Sequence, residues 1–258
     1  MRLPRVVAPE TLDHLPPTDP AARRSRRDLV RIHRVMATRS VMARGWRGLV
    51  SAGRAAAPLK VLELGAGDGT LLLGLARQLA PDWPRVQLSL LDRQPVVSQA
   101  TLAAYASLGW SATVDDTDVL DWAVPVRGLP SLIPDTAANT AQEEPPWDLI
   151  TTSLFLHHFE GEQLDAVLAA VAERALRFFA CEPRRSWLAL AGSHLVGAMG
   201  ANAVTRADAV LSVHAGFRDQ DIGAHWPRRG ENLGTWQCEE HAAGLFSHCF
   251  SARRAGLV

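Results

Sequence analysis

The stretch VLELGAGDGTLLLGL, residues 61–75, places glycines at 65, 67 and 69 between an apolar run and a helix-forming one. A short apolar strand, a glycine-rich turn and a helix form the arrangement in which a ligand lies against bare main chain. The feature commits the chain to an open α/β architecture whose ligand binds beyond the carboxyl end of the strand. The spacing is not that of the dinucleotide fingerprint G-x-G-x-x-G. Counted from Gly65 the third glycine falls on Thr70, and counted from Gly67 it falls on Leu72. The pattern present is Glu63-x-Gly65-x-Gly67-x-Gly69.

The segments around this turn alternate in period. KVLELG, VQLSLLD, SATVDD, WDLITTSLFL and LRFFACEP read as five strands, with helices GTLLLGLARQLA, PVVSQATLAAYASLG and GEQLDAVLAAVAERA among them. Pro95 is expected in the first turn of the second of these helices. Repeated units of this length imply a mostly parallel sheet with helices on both faces. Residues 125–146, rich in proline and polar residues, read as a loop. TWQCEEHAAG and LFSHCFSARR, turning near Gly244, add an antiparallel pair and bring the sheet to seven strands. Residues 1–57 form an N-terminal helical arm or lid, with a helix capped by Thr18 or Asp19, Pro20 in its first turn and a break near Thr38–Ser40. Residues 58–258 form the main domain, with a helical cap insertion at about 184–230.

The glycine pattern and its companions resemble the class I S-adenosylmethionine-dependent methyltransferases. The resemblance covers residues 58–183 well, the terminal strands fairly and the rest weakly. The segment from Ser153 to His158, with its LHH, is similar to methyltransferases of the ubiquinone/menaquinone type. The family implies S-adenosylmethionine as cofactor, with Gly65, Gly67 and Gly69 beside its methionine part. It places an acid at the end of strand two, here Asp92, on the ribose hydroxyls, with Arg93 next to it. Asp118, with Val119 packing on the ring, is implied for adenine, and Asp116 is its rival. Ser153 completes the set at the end of strand four.

The physical chemistry of these residues agrees with that assignment. One carboxylate accepts two hydroxyl hydrogen bonds at once. Glu63 can anchor the cofactor's ammonium directly or through water, and the helix N-terminus after the turn favours its carboxylate. Asp148 reads as structural, holding the loop near the glycine turn. His158 and His157 are the candidate general bases, since an imidazole titrates near neutrality; the alternative is that they line the cleft. Glu182 is expected to face substrate or, more simply, to pair with Arg184 or Arg185. The run Arg23–Arg27 reads as a solvated helix face, and the tryptophans as packing.

Lys+Arg and Asp+Glu both number 27, so no net field recruits nucleic acid. Three well-separated cysteines without a C-x-x-C fit a reducing compartment rather than a disulfide or zinc framework. No apolar run is long enough to span a membrane, and the first residues lack a signal-peptide core. The expectation is a cytoplasmic, metal-independent enzyme that methylates an oxygen or carbon of a small aromatic or polyketide-like metabolite. A nicotinamide oxidoreductase, a non-methylating use of the same cofactor, and a non-catalytic cofactor-binding scaffold are the alternatives. Oligomeric state is not legible.

Overall fold

The computed structural model describes residues 2–50, 57–124, 147–227 and 235–256. The predicted loop at 125–146 lies outside them. Seven strands make one sheet, β1 (Leu59–Leu64), β2 (Val86–Leu91), β3 (Trp110–Asp115), β4 (Leu149–Ser153), β5 (Arg177–Pro183), β6 (Trp236–Ala243) and β7 (Ser247–Arg254), in the order 3-2-1-4-5-7-6. The first five are parallel, and β7 runs antiparallel to both β5 and β6. Each parallel crossover carries a helix: α4 (Thr70–Leu79), α5 (Gln99–Ser107), the short α6 (Val119–Ala123) and α7 (Gly161–Arg174).

Alternation along β1 shows why both faces are covered. Val61 enters one core with Trp46, Leu72 and Leu88, whereas Leu62 and Leu64 enter the other with Ile150, Leu168 and Phe178. Trp46 is fully buried and stacks on Trp110, and Trp226 packs on Phe178, so these tryptophans are core elements. Burying a side chain of this kind contributes on the order of 3 kcal/mol.

The N-terminal helix is broken as the sequence predicts, between α2 (Pro20–Val35) and α3 (Thr38–Leu49), with Ala37 left-handed at φ 54°. Asp19 is the cap of α2, accepting from the amides of Ala21 and Ala22, and Pro20 opens the first turn. The expected start of α5 needs correction. Ser98, not Pro95, sets it: the Ser98 hydroxyl accepts from the amide of Thr101, and residues 95–98 stay outside the helix. Between β5 and β6 lie α8 (Trp187–Leu195), α9 (Ala203–Ala215) and α10 (Asp221–His225), the expected cap region. Ahead of α2, the arm carries a single turn, α1 (Thr11–His14).

That arm crosses the cap and the carboxyl edge of the sheet. Arg5 donates to the carbonyls of Ala215 and Phe159, and Asp208 of α9 accepts from the amides of Thr11 and Leu12. Arg93 and Gln94, just beyond β2, both donate to the carbonyl of Asp13. No helix among the described residues is long and apolar enough to cross a membrane.

Candidate active site

Strand order reverses direction at β1 and β4, so the crevice beyond their carboxyl ends is where an open α/β sheet receives a ligand. A cavity of about 970 Å³ opens there. Its floor is the turn after β1 and the turn after β4, its roof is α2 with the arm, and its far wall is the cap.

The glycine turn has the backbone its sequence demands. Gly65, Gly67 and Gly69 have φ of 71°, 55° and 71°. A Cβ added at Gly67 would meet nothing within 4 Å, so the turn is open at that position, whereas one at Gly65 would overlap the ring of Phe155 and one at Gly69, which does not line the cavity, would pack on Leu90 and Thr101. Asp92 follows β2 and braces the turn: its Oδ2 accepts from the amide of Gly67 at 2.8 Å and its Oδ1 from the amide of Gln94 at 2.8 Å. Burial raises the Asp92 carboxyl above its ordinary range, and these two amides pull it back. Carboxylate oxygens hold more lone pairs than these donors use, which leaves acceptor capacity on the cavity side.

Glu63 is 1% exposed at the end of β1. Its Oε1 accepts from the hydroxyl of Ser153 at 3.2 Å, and its Oε2 has no partner. Burial, with Asp92 and Asp68 adding to it, pushes this carboxyl up to about 8 against the opposing bond from Ser153. A buried acid with one oxygen unused is an acceptor waiting for a donor. Asp118 caps α6 through the amide of Leu120 and lines the cavity together with the mostly buried Val119. Arg93 reaches the arm, at the carbonyl of Asp13.

The turn after β4 holds the histidines, on a single 3-10 turn, Leu156–His158. Leu154, just before it, is left-handed at φ 53°, a costly conformation for this residue. Glu182 of β5 holds the segment in place by accepting from the amides of Phe155 and Leu156 and from the hydroxyl of Thr152. This overturns the expected pairing with Arg184 or Arg185. Arg185 pairs with Asp221 instead, and the ring partner of Glu182 is His157, whose Nδ1 lies 3.0 Å from Oε2. The other ring nitrogen of His157 faces Glu10 of the arm at 3.3 Å. Burial lowers the proton affinity of His157, but the two carboxylates outweigh it and raise its pKa to about 9. His157 is therefore a cation at neutral pH. Glu10 is held below its ordinary range, since burial is outweighed by His157, and Ser212 of α9 also donates to it.

His158 is the opposite case. It lines the cavity, with its Nδ1 3.3 Å from Asp13. Burial, followed by the charge of His157, lowers its pKa, so it is neutral at neutral pH. Asp148 also departs from expectation. Its carboxylate accepts from the amide of Lys60 at the start of β1, the end of the strand remote from the glycine turn.

Three residues at this site went unnoticed in the sequence. Glu10 and Asp13 sit in the arm more than 140 residues from the histidines they meet. His33 of α2 lines the cavity with a buried Nε2 that has no partner, and burial brings its pKa down to about 4. No composition or periodicity signal marks them.

No protein-family model matches this chain, and no curated protein sequence matches it. Solved structures do match. The plantazolicin methyltransferase BpumL in complex with SAH superposes with a TM-score of 0.58 at 12% identity, over 92% of this chain and 91% of that one. The same enzyme with a triazolic desmethylPZN analog and SAH gives 0.54 at 13%, over 92% of each chain. An O-methyltransferase family protein from Burkholderia thailandensis gives 0.52 at 13%, over 95% of this chain and 62% of that one. Strand order 3-2-1-4-5-7-6, the glycine turn after β1 and these superpositions together show that the chain has the class I methyltransferase fold.

Proposed function

We propose that this protein transfers a methyl group from S-adenosylmethionine to an oxygen or carbon of a small aromatic or polyketide-like molecule. The observation that carries the reading is the pairing of a buried, half-used carboxyl at Glu63 with the open glycine turn beside it. That pair suits an ammonium-bearing ligand lying against main chain. The residues fit the cofactor: Glu63 would meet its ammonium, the open face at Gly67 would leave room for its methionine part, Gly65 and Gly69 give the turn its left-handed backbone, and Asp92 would take the ribose hydroxyls. Asp118 and Val119 take the adenine. Ser153 orients Glu63, and Arg93 pins the arm over the site.

When bound, the cofactor supplies a methyl group activated on a sulfonium. The chain supplies geometry and proton transfer. The roof of α2 and the arm covers the crevice, and Val7 of the arm, Ala189, Val196, Met199 and Val213 of the cap, and Phe246 of the turn between β6 and β7 present an apolar surface to an acceptor. Holding acceptor and methyl in line can contribute ~7–11 kcal/mol. His158, neutral and facing the cavity, takes the proton from an acceptor hydroxyl.

Two binding measurements test the cofactor half. Asp92→Ala removes both the ribose acceptor and the brace under Gly67. Affinity for S-adenosylhomocysteine should fall at least about tenfold, or ~1.4 kcal/mol, and calorimetry giving equal affinity for the two proteins would discard the ribose assignment. The second concerns Glu63. An ammonium against Oε2 favours the ionised carboxylate, whereas the free protein at pH 6.5 holds the proton. At that pH the ligand's own amine is already protonated. Binding should then release about one proton, read from calorimetry in buffers of different ionisation enthalpy. Release that persists in Glu63→Gln would assign the proton to another group.

A further inference from the structure

We propose that His157 is a positioning residue: clamped between Glu182 and the arm's Glu10, its imidazolium is a fixed positive charge that keeps the adjacent His158 imidazole free to accept a proton. The inference rests on the reading of His158 as proton acceptor given above, and it makes the N-terminal arm part of the chemical machinery.

The geometry leaves His157 no other role. Both of its ring nitrogens are engaged by carboxylates, at 3.0 Å and 3.3 Å, and its side chain is 3% exposed. A base needs a free nitrogen facing the acceptor, and His157 offers none. Nor can the clamp relax. Glu182 is completely buried and tied to the amides of Phe155 and Leu156. Glu10 is fixed by Ser212, and the residues after it are fixed by Asp208. The rings of His157 and His158 lie 4.3 Å apart between centroids, within direct electrostatic reach.

The charges around His158 oppose one another. Glu10 and Asp13 from the arm and Glu182 from β5 favour its protonated form. Burial and the charge of His157, on its own turn, disfavour it, and they prevail. Glu10, His157 and His158 bring one donor atom each within 4.8 Å of one another. With His157 protonated, its ion pairs run to Glu10 and Glu182, and His158 stands beside them neutral.

His157→Gln tests the idea, because the charge is gone while the amide nitrogen can still donate to one of the two carboxylates. Histidine-labelled protein is titrated by NMR, and kcat/KM is followed against pH. In the wild type, His158 should titrate below its ordinary ~6.5 and His157 near 9. In the variant, the proton affinity of His158 should rise about tenfold or more, and the acid limb of kcat/KM should move up with it. An unchanged His158 titration in folded variant protein overturns the clamp. A shifted titration with an unmoved acid limb overturns the catalytic link. Failure of the underlying reading shows separately, as wild-type protein that does not bind S-adenosylhomocysteine. Should His157→Gln fail to fold, Glu10→Gln carries the test. There the proton affinity of His157 should drop at least about tenfold and Glu10→Asp should restore it; an undisturbed His157 would sink the proposal.

Discussion

Replacing His158 with alanine is expected to lower kcat at least ~100-fold while leaving the affinity for S-adenosylhomocysteine nearly unchanged. General-base assistance contributes typically ~10²–10⁴ in rate. The side chain faces the cavity and braces neither the glycine turn nor Asp92, so cofactor binding should not depend on it. In the wild type, activity should be retained as pH falls through ~6.5 and be lost only below it, because burial and His157 hold the titration of His158 under its ordinary value. The alanine variant should lose that acid limb altogether. A fall in kcat of less than about tenfold would return His158 to a lining role and point to an acceptor that needs no base, such as an electron-rich ring carbon.

The second large effect is expected at Gly65, and it is structural. Gly65→Ala places a methyl group inside the ring of Phe155 and imposes a left-handed conformation on a residue with a Cβ. Each fault costs ~1–3 kcal/mol. Phe155 cannot swing away freely, because its amide is held by Glu182 and its ring packs on Phe159. Thermal unfolding should show a loss of ~2–5 kcal/mol, with cofactor binding lost in whatever folds. Gly67→Ala makes the informative contrast. It has the same backbone penalty but open space above it, so its stability loss should be the smaller, while its Cβ would intrude where the proposed cofactor would lie. Equal stability losses at the two positions would remove the Phe155 contact from the account.

The arm also has a consequence for specificity. Residues 10–13 touch the β2 loop, the histidine turn and α9 together. A molecule filling the cap side of the cavity therefore lies against the same short segment that charges His157. On the proposed reading, one piece of chain would read both substrate shape and proton transfer, a coupling that the Rossmann-like core alone does not provide.

Much of this was legible from local patterns. Strands and helices alternate in period because β1, α4 and β2 each bury one stripe or face, and that periodicity is written over a few residues. The glycine turn was legible for the same reason: left-handed backbone and close approach demand glycine at the position itself. Asp92 followed from its place at the end of the next strand. At the start of α5 two local signals compete, and the capping hydroxyl of Ser98 prevails over Pro95.

What the sequence by itself determined, then, is the alternation of strand and helix, the glycine turn and the carboxyl groups of Glu63 and Asp92 at the strand ends, since each is written within a few positions of chain. Only the tertiary structure decided which histidine carries a charge. His157 and His158 are neighbours of one residue type, and nothing in their order distinguishes them. Glu182, 25 residues on, and Glu10, 147 residues back, close on His157 alone. A pKa is set by what surrounds a group in space, and folding brings those surroundings together from distant parts of the chain.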